Sequence, residues 1–203
     1  MLPNTGPITI SGFCKSSAAG NAALVTFWYS SAGYLGIWQQ TGGMWGIIRH
    51  ASSSQVSLVS GWNTSFQADA WMQYAFVKNA SGEWVMYARF IGEGSWKASA
   101  SKSYAFTRAG DNVYCGQRGD GALLYDGRLA IVGCWDSDLM ASGALDSWFA
   151  SPGDIPPGAL HLYQTGNGTD APPDMLDYGS VGGYGATMIN GPTFETDFPG
   201  VTP

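Results

Sequence analysis

Between Trp71 and Trp96 the chain reads WMQYAFVKNASGEWVMYARFIGEGSW, and this stretch constrains the fold more tightly than any other. Its first half, Trp71 to Val77, is rich in aromatic and aliphatic residues that favour extended backbone. Asn79-Ala80-Ser81-Gly82 then supplies turn chemistry: short polar side chains that bond nearby backbone, and a glycine for positive φ. The second half, Trp84 to Ile91, repeats the pattern and stops at Gly92-Glu93-Gly94. Two such runs around a four-residue, glycine-containing break predict an antiparallel hairpin. On the returning strand Trp84, Met86, Ala88 and Phe90 share one face, and Glu83, Val85, Tyr87 and Arg89 the other. A wholly apolar face backed by a mixed one is what a strand inside a two-layer sandwich requires.

Around this hairpin the chain divides into short strand-like pieces. Ile8 to Cys14 alternates, Ala22 to Tyr29 follows the Gly20-Asn21 turn, and Tyr34 to Trp38 and Met44 to Ile48 flank a glycine-bearing break. Gln55 to Ser60 alternates plainly, and Tyr104 to Thr107 and Val113 to Gly116 come after the hairpin. One helix is expected over 140–149, where Met140, Ala144, Leu145 and Trp148 share a face and Pro152-Gly153 ends it. From residue 152 paired prolines punctuate two further pieces, Leu160 to Gln164 and Ala186 to Ile189. The fold class expected is all-β, an antiparallel two-sheet sandwich with one short helix near 140–149. Residues 1–151 form its core, and 152–203 a Pro/Gly-rich extension adding strands to the same sandwich or to a neighbouring copy.

The hairpin also resembles that of the laminin-G-like jelly rolls, members of the concanavalin-A-like lectin and glucanase superfamily. Trp71, Ala75-Phe76-Val77-Lys78, Ser81-Gly82-Glu83-Trp84 and Met86-Tyr87 stand where that family has its Ala-Val, Gly-x-Trp and Leu-Tyr positions. The Asp-Gly that normally follows the tyrosine is replaced by Ala88-Arg89-Phe90-Ile91. Ile8 to Cys14 resembles the family's opening strand. Tyr114 to Arg118 and Tyr125 to Leu129 resemble a later segment, with Leu129-Ala130 where relatives carry an acidic pair. Asp177 to Ser180, Gly185 to Thr187 and Asn190 to Pro192 resemble a segment that usually precedes the core and here follows it. The resemblance implies a jelly-roll sandwich. Chains of this kind, small, acidic and rich in Gly and Trp, resemble virion proteins of tailed bacteriophages: capsid decoration, head-fibre or tail components.

Composition narrows the function. Only 12% of residues are charged, about half the usual share, and the formal net charge is −6. A surface with so few charges is coated with Ser, Thr, Asn, Gln and Gly, which suits protein or sugar contacts. No Lys/Arg cluster exists to displace counterions, so a nucleic-acid partner is not expected. No run approaches the roughly 18 apolar residues of a membrane span, so no membrane insertion is expected either. The opening MLPNTGPITIS lacks a basic n-region and an apolar h-region, and the expectation is a chain made in a host cytoplasm without a secretory signal. Cys14, Cys115 and Cys134 read as buried thiols on strands, with a Cys115–Cys134 bridge as the alternative.

Catalytic sets are hard to assemble from these residues. Glucanases of this fold carry Glu-x-Asp-x-Glu on one strand, because retaining hydrolysis needs two carboxylates about 5 Å apart. No such triplet occurs. His50 and His161 lie in no nucleophile motif and read as structural. No enzyme and no cofactor are therefore expected, with calcium as the one ion to consider. Asp120, Asp126, Asp136 and Asp138 are close in sequence and are its candidate ligands at one sandwich edge. Sugar platforms need flat apolar faces beside polar groups. Trp45, Trp62, Trp96 and Trp135 flank polar or glycine-rich segments, and Trp62, Trp96 and Trp135 with Asp120 and Asp126 are the ligand-binding candidates. The function expected is that of a non-enzymatic virion structural or surface protein. Its partners would be other virion proteins or copies of itself, and a cell-surface glycan if it is adhesive. A carbohydrate-binding attachment module and a degenerate glycoside hydrolase are the alternatives.

Overall fold

The computed structural model describes residues 5–18, 20–30, 33–49, 55–61, 66–104, 112–164, 174–175, 179–180 and 186–187. Along them run β1 (Ile8–Ser16), β2 (Ala22–Ser30), β3 (Gly33–Gln40), β4 (Gly43–Arg49), β5 (Val56–Gly61), β6 (Trp71–Lys78) and β7 (Glu83–Phe90). There follow β8 (Lys97–Ala98), β9 (Lys102–Ser103), β10 (Asn112–Cys115), β11 (Gly127–Trp135), α1 (Ala144–Ala150), β12 (His161–Gln164), β13 (Asp174–Met175) and β14 (Ala186–Thr187). One sheet runs β12-β11-β1-β6-β7-β8, with β9 also pairing β7; the other runs β10-β2-β3-β4-β5; β13 and β14 pair with each other. Every pairing is antiparallel, and the fold is the all-β two-sheet sandwich expected.

The hairpin forms β6 and β7 in the register Lys78↔Trp84 to Met72↔Phe90. Asn79 closes its turn: its side-chain oxygen accepts the Glu83 N–H at 2.9 Å and its own N–H donates to the Glu83 carbonyl at 2.9 Å. Trp84, Met86, Ala88 and Phe90 all turn into the core, with Trp84 fully excluded from solvent. Across the sandwich they meet Leu24, Phe27, Leu35, Met44 and Ile48 of the second sheet. At the centre Phe76 packs against Trp84 with centroids 4.8 Å apart and planes tilted by 41°, and the Phe76 ring also fills the space where a Gly46 side chain would be. A Cβ there would stand 2.5 Å from the ring.

The outer face of the larger sheet is also covered. Phe13, Ala75 and Ile131 pack beneath Leu145 and Trp148 of α1. The helix is shorter than the 140–149 expected, because Gly143 at φ 74 breaks the preceding turn and α1 starts at Ala144. Phe13 and Trp148 meet edge to face at 5.1 Å, and Trp135 and Trp148 at 5.5 Å. Beyond residue 152, the Trp148 and Trp135 indole N–H groups donate to the carbonyls of Pro152 and Pro156 at 3.0 Å each. The chain then enters β12, which pairs with β11 as an edge strand of the larger sheet. Tyr104 is not in a strand, and the rest of the piece expected over 104–107 lies outside the described residues, as do 188 and 189 of the piece expected over 186–189.

The three cysteines are free thiols, so the Cys115–Cys134 bridge does not form. Burial pushes the Cys14 thiol far above its ordinary range and that of Cys115 up to about 12. Two outcomes follow from this packing. Trp84→Ala should cost about 3–5 kcal/mol of unfolding free energy in a denaturant titration, and a loss below about 1 kcal/mol would contradict the core register. At pH 8 the folded protein should react slowly with a disulfide reagent, since only thiolate reacts, whereas all three thiols should titrate after unfolding.

Candidate functional site

The two sheets differ in what covers their outer faces. On the smaller sheet, strand alternation sends Trp28 and Thr26 of β2, Tyr34 and Trp38 of β3, and Trp45, Ile47 and Arg49 of β4 away from the core. Cross-strand register gathers them into rows. Trp28, Tyr34 and Arg49 stand side by side on β2, β3 and β4, and Ala23, Trp38 and Trp45 form a second row. Between the rows run Thr26, Gly36 and Ile47. Gly36 leaves room for Trp38 to fold back over it toward Tyr34. Trp28, Tyr34 and Trp38 therefore stack, with centroids 5.2 and 5.7 Å apart and planes tilted by only 10° and 21°.

The segment over 116–125 crosses this stack as a strap. It is tied down by Gly116 N–H to Leu24 carbonyl at 2.8 Å, Ala23 N–H to Leu123 carbonyl at 2.8 Å, and the Thr26 hydroxyl to Gln117 carbonyl at 3.3 Å. Farther on, the Tyr125 hydroxyl donates to the Lys15 carbonyl at 2.8 Å. Gly119 lies flat on Trp28, and the Arg118 guanidinium sits 5.8 Å from the Trp38 ring. Leu123 packs on the same cluster at a φ of 55, a conformation a bulky residue holds only where its surroundings impose it. The strap buries Tyr34 and Trp38 but leaves Trp28, Trp45 and Arg49 half-buried.

Two arginines serve this face. Arg118 forks onto Asp120, with Nε to Oδ1 at 2.8 Å and Nη2 to Oδ2 at 2.6 Å, and the pair holds the Asp120 carboxyl below its ordinary range. Arg49 lies 6.0 Å from the centroid of Tyr34, its cross-strand neighbour, and pairs with no carboxylate among the described residues. The indole N–H groups of Trp38 and Trp45 have no acceptor among the described residues. Both indole nitrogens are buried, so what the face presents outward is the half-buried Trp45 ring and the Arg49 guanidinium.

The residues expected from sequence are scattered by comparison. Asp120 lies on the strap, beside the aromatic face. Trp135 is corrected: it ends β11 with 1% of its surface exposed, locked over Gly133 and under Trp148, and offers no ring to a ligand. Trp96 is engaged in packing. Its ring and that of Phe149 clamp the Arg89 guanidinium at 4.1 and 3.5 Å, and its N–H donates to Asp146 at 2.9 Å. Arg89 pairs with the same carboxylate at 2.9 Å, which ties α1 to β7. Burial pulls the Arg89 pKa down while Asp146 holds it up. Trp62 and His50 lie outside the described residues.

The four aspartates considered for calcium do not gather. No group of three or more His, Cys, Asp or Glu able to hold a metal occurs among the described residues. Asp120 is taken up by Arg118, Asp138 accepts the Ala141 N–H at 2.9 Å, and Asp126 and Asp136 are exposed. His161 is buried opposite Cys134 inside the core, where no substrate reaches. Sequence reasoning singled out Trp45 but missed Trp28, Tyr34, Trp38 and Arg49, which are separated along the chain and meet only through register.

Comparison with known proteins returned fold likenesses alone. No family profile matches the chain, and no curated protein matches it. The native heptameric SAP-like pentraxin from Limulus polyphemus aligns at 13% identity and TM-score 0.46, over 66% of this chain and 66% of that one. The LG4-5 domains of the mouse laminin alpha1 chain align at 11% and 0.48, over 64% of this chain and 35% of that one. Tailspike protein 2 from an Escherichia coli O157:H7 bacteriophage aligns at 12% and 0.48, over 71% of this chain and 22% of that one. This chain therefore spans only part of each.

Proposed function

We propose that this chain is a non-enzymatic protein that works by surface contact, as a structural or adhesive component of a virus particle. The observation that carries the reading is the outer face of the smaller sheet, where half-buried Trp45 and Arg49, the latter paired with no carboxylate among the described residues, border the stacked rings of Trp28, Tyr34 and Trp38. Rings that are held rigidly and still half-open contribute binding at little entropic cost, since the fold has already ordered them. The low charge of the chain supports the same reading, because few ions need be stripped of water when such a surface is covered. The absence from the sequence of the Glu-x-Asp-x-Glu triplet of fold-related glucanases separates it from the hydrolase alternative.

Adhesion to a carbohydrate is the version favoured by the rings themselves, which are too small and too recessed for a broad apolar protein interface. Leu124, at 50%, is the one exposed large hydrophobic side chain among the described residues. Trp45→Ala should leave the thermal transition within a few degrees of the parent and weaken binding about tenfold or more, measured on a glycan array and by co-sedimentation with phage particles. Release of reducing sugar from a β-glucan by the purified protein would overturn the non-enzymatic reading.

A further inference from the structure

We propose that the protein binds one ordered internal water between Gln73 and Arg89, beneath α1, and that this water completes the latch joining the helix to the larger sheet. Gln73 stands on the outer face of β6, directly between Phe13 of β1 and Arg89 of β7, and no part of it reaches solvent. Above this row Trp148 meets Phe13 edge to face and Phe149 lies against the Arg89 guanidinium, so α1 closes the spot. Both polar atoms of the Gln73 amide, Nε2 and Oε1, are buried without a partner among the described residues, and so is Nε of Arg89. The two residues that carry these atoms are direct cross-strand neighbours. A buried amide or guanidinium edge left unpaired is costly, and several together on one spot point to a shared partner.

The chemistry of the three atoms selects the partner. Oε1 requires a donor, whereas Nε2 and the Arg89 Nε require acceptors. An anion accepts but cannot donate, and it would face the Gln73 carbonyl oxygen. A metal cation would stand against a guanidinium. Direct contact between amide and guanidinium would satisfy Oε1 and leave Nε2 unpaired. Water does all three: it donates to Oε1, accepts the amide N–H on the same side of the amide, and accepts the Arg89 Nε–H on its second lone pair. Three hydrogen bonds are the usual complement of a buried water. The rest of the guanidinium is already engaged, with Nη2 donating to Asp146 at 2.9 Å and toward the Leu145 carbonyl at 3.5 Å. Its faces lie against Trp96 and Phe149. Burial pulls the Arg89 pKa down, and an acceptor on Nε favours the charged form that Asp146 needs. Gln73 is thus a positioning residue: through the water it fixes the inner edge of a cation whose outer edge holds a seven-residue helix with no side-chain cap.

A double-mutant cycle on the full chain, read by thermal melting, tests this together with a crystal structure. Gln73→Met keeps the length of the side chain and removes both amide atoms. Were the amide merely stranded, its removal would raise the melting transition. With a bridging water, the substitution strands the Arg89 Nε instead, and the transition should fall by roughly 3–8 °C. In an Arg89→Met background, where no guanidinium remains to be stranded, Gln73→Met should cost little or stabilise. The crystal structure of the parent should show a water within hydrogen-bond distance of both Gln73 Oε1 and Arg89 Nε, and that of Gln73→Met none at the same place. A raised transition in Gln73→Met, an equal loss in both backgrounds, or an amide bonded straight to Arg89 with no water between them would each overturn the proposal. Should Gln73→Met not fold, the electron density of the parent decides alone.

Discussion

Phe76 lies against Gly46 of the opposite sheet so closely that no side chain fits between them, and the arrangement of the whole sandwich follows from that approach. With Gly46 facing inward, Met44 and Ile48 on the same strand must face inward too, and Trp45, Ile47 and Arg49 must face out. A slip of one residue would drive a tryptophan and an arginine into the core and expose methionine and isoleucine. The same inter-sheet contact that stabilises the fold therefore fixes which residues form the aromatic face. Packing and site are two sides of one strand.

The two sheets solve the problem of their second face differently. The larger one is buried twice, under the opposing sheet and under α1, so Phe13, Trp135 and Trp148 form a second apolar layer. A helix of seven residues with no side-chain cap contributes little stability of its own, and the Arg89 clamp with two indole-to-carbonyl bonds holds it in place. Among the described residues, the outer face of the smaller sheet carries the strap and no helix. A strap covers part of a surface where a helix covers all of it, and that difference leaves Trp45 and Arg49 half-buried while Trp28 lies between Gly119 and Tyr34.

The central hairpin was legible because its signals are local: alternation along β7, and an asparagine and a glycine at the turn. The helix was legible in place but not in length, since a glycine at positive φ counts as a break only once the surrounding turn demands it. The aromatic face was not legible as a face. Strand limits set a residue or two short hid the tight Gln40↔Gly43 closure that puts Trp38 opposite Trp45. Parity from that turn is the one signal that would have aligned β3 with β4.

What the sequence by itself determined is the fold class, since alternation and turn residues act within a few positions of each other and need no partner to be read. It also determined the low charge and the missing carboxylate triplet that shape the functional reading. Only the tertiary structure decided the fate of each tryptophan. Trp135 and Trp96 sit beside polar segments just as Trp45 does, yet the first is sealed beneath α1, the second grips Arg89, and the third stays half-open. Exposure is a property of what packs on top of a ring, and those elements come from residues far away in the chain.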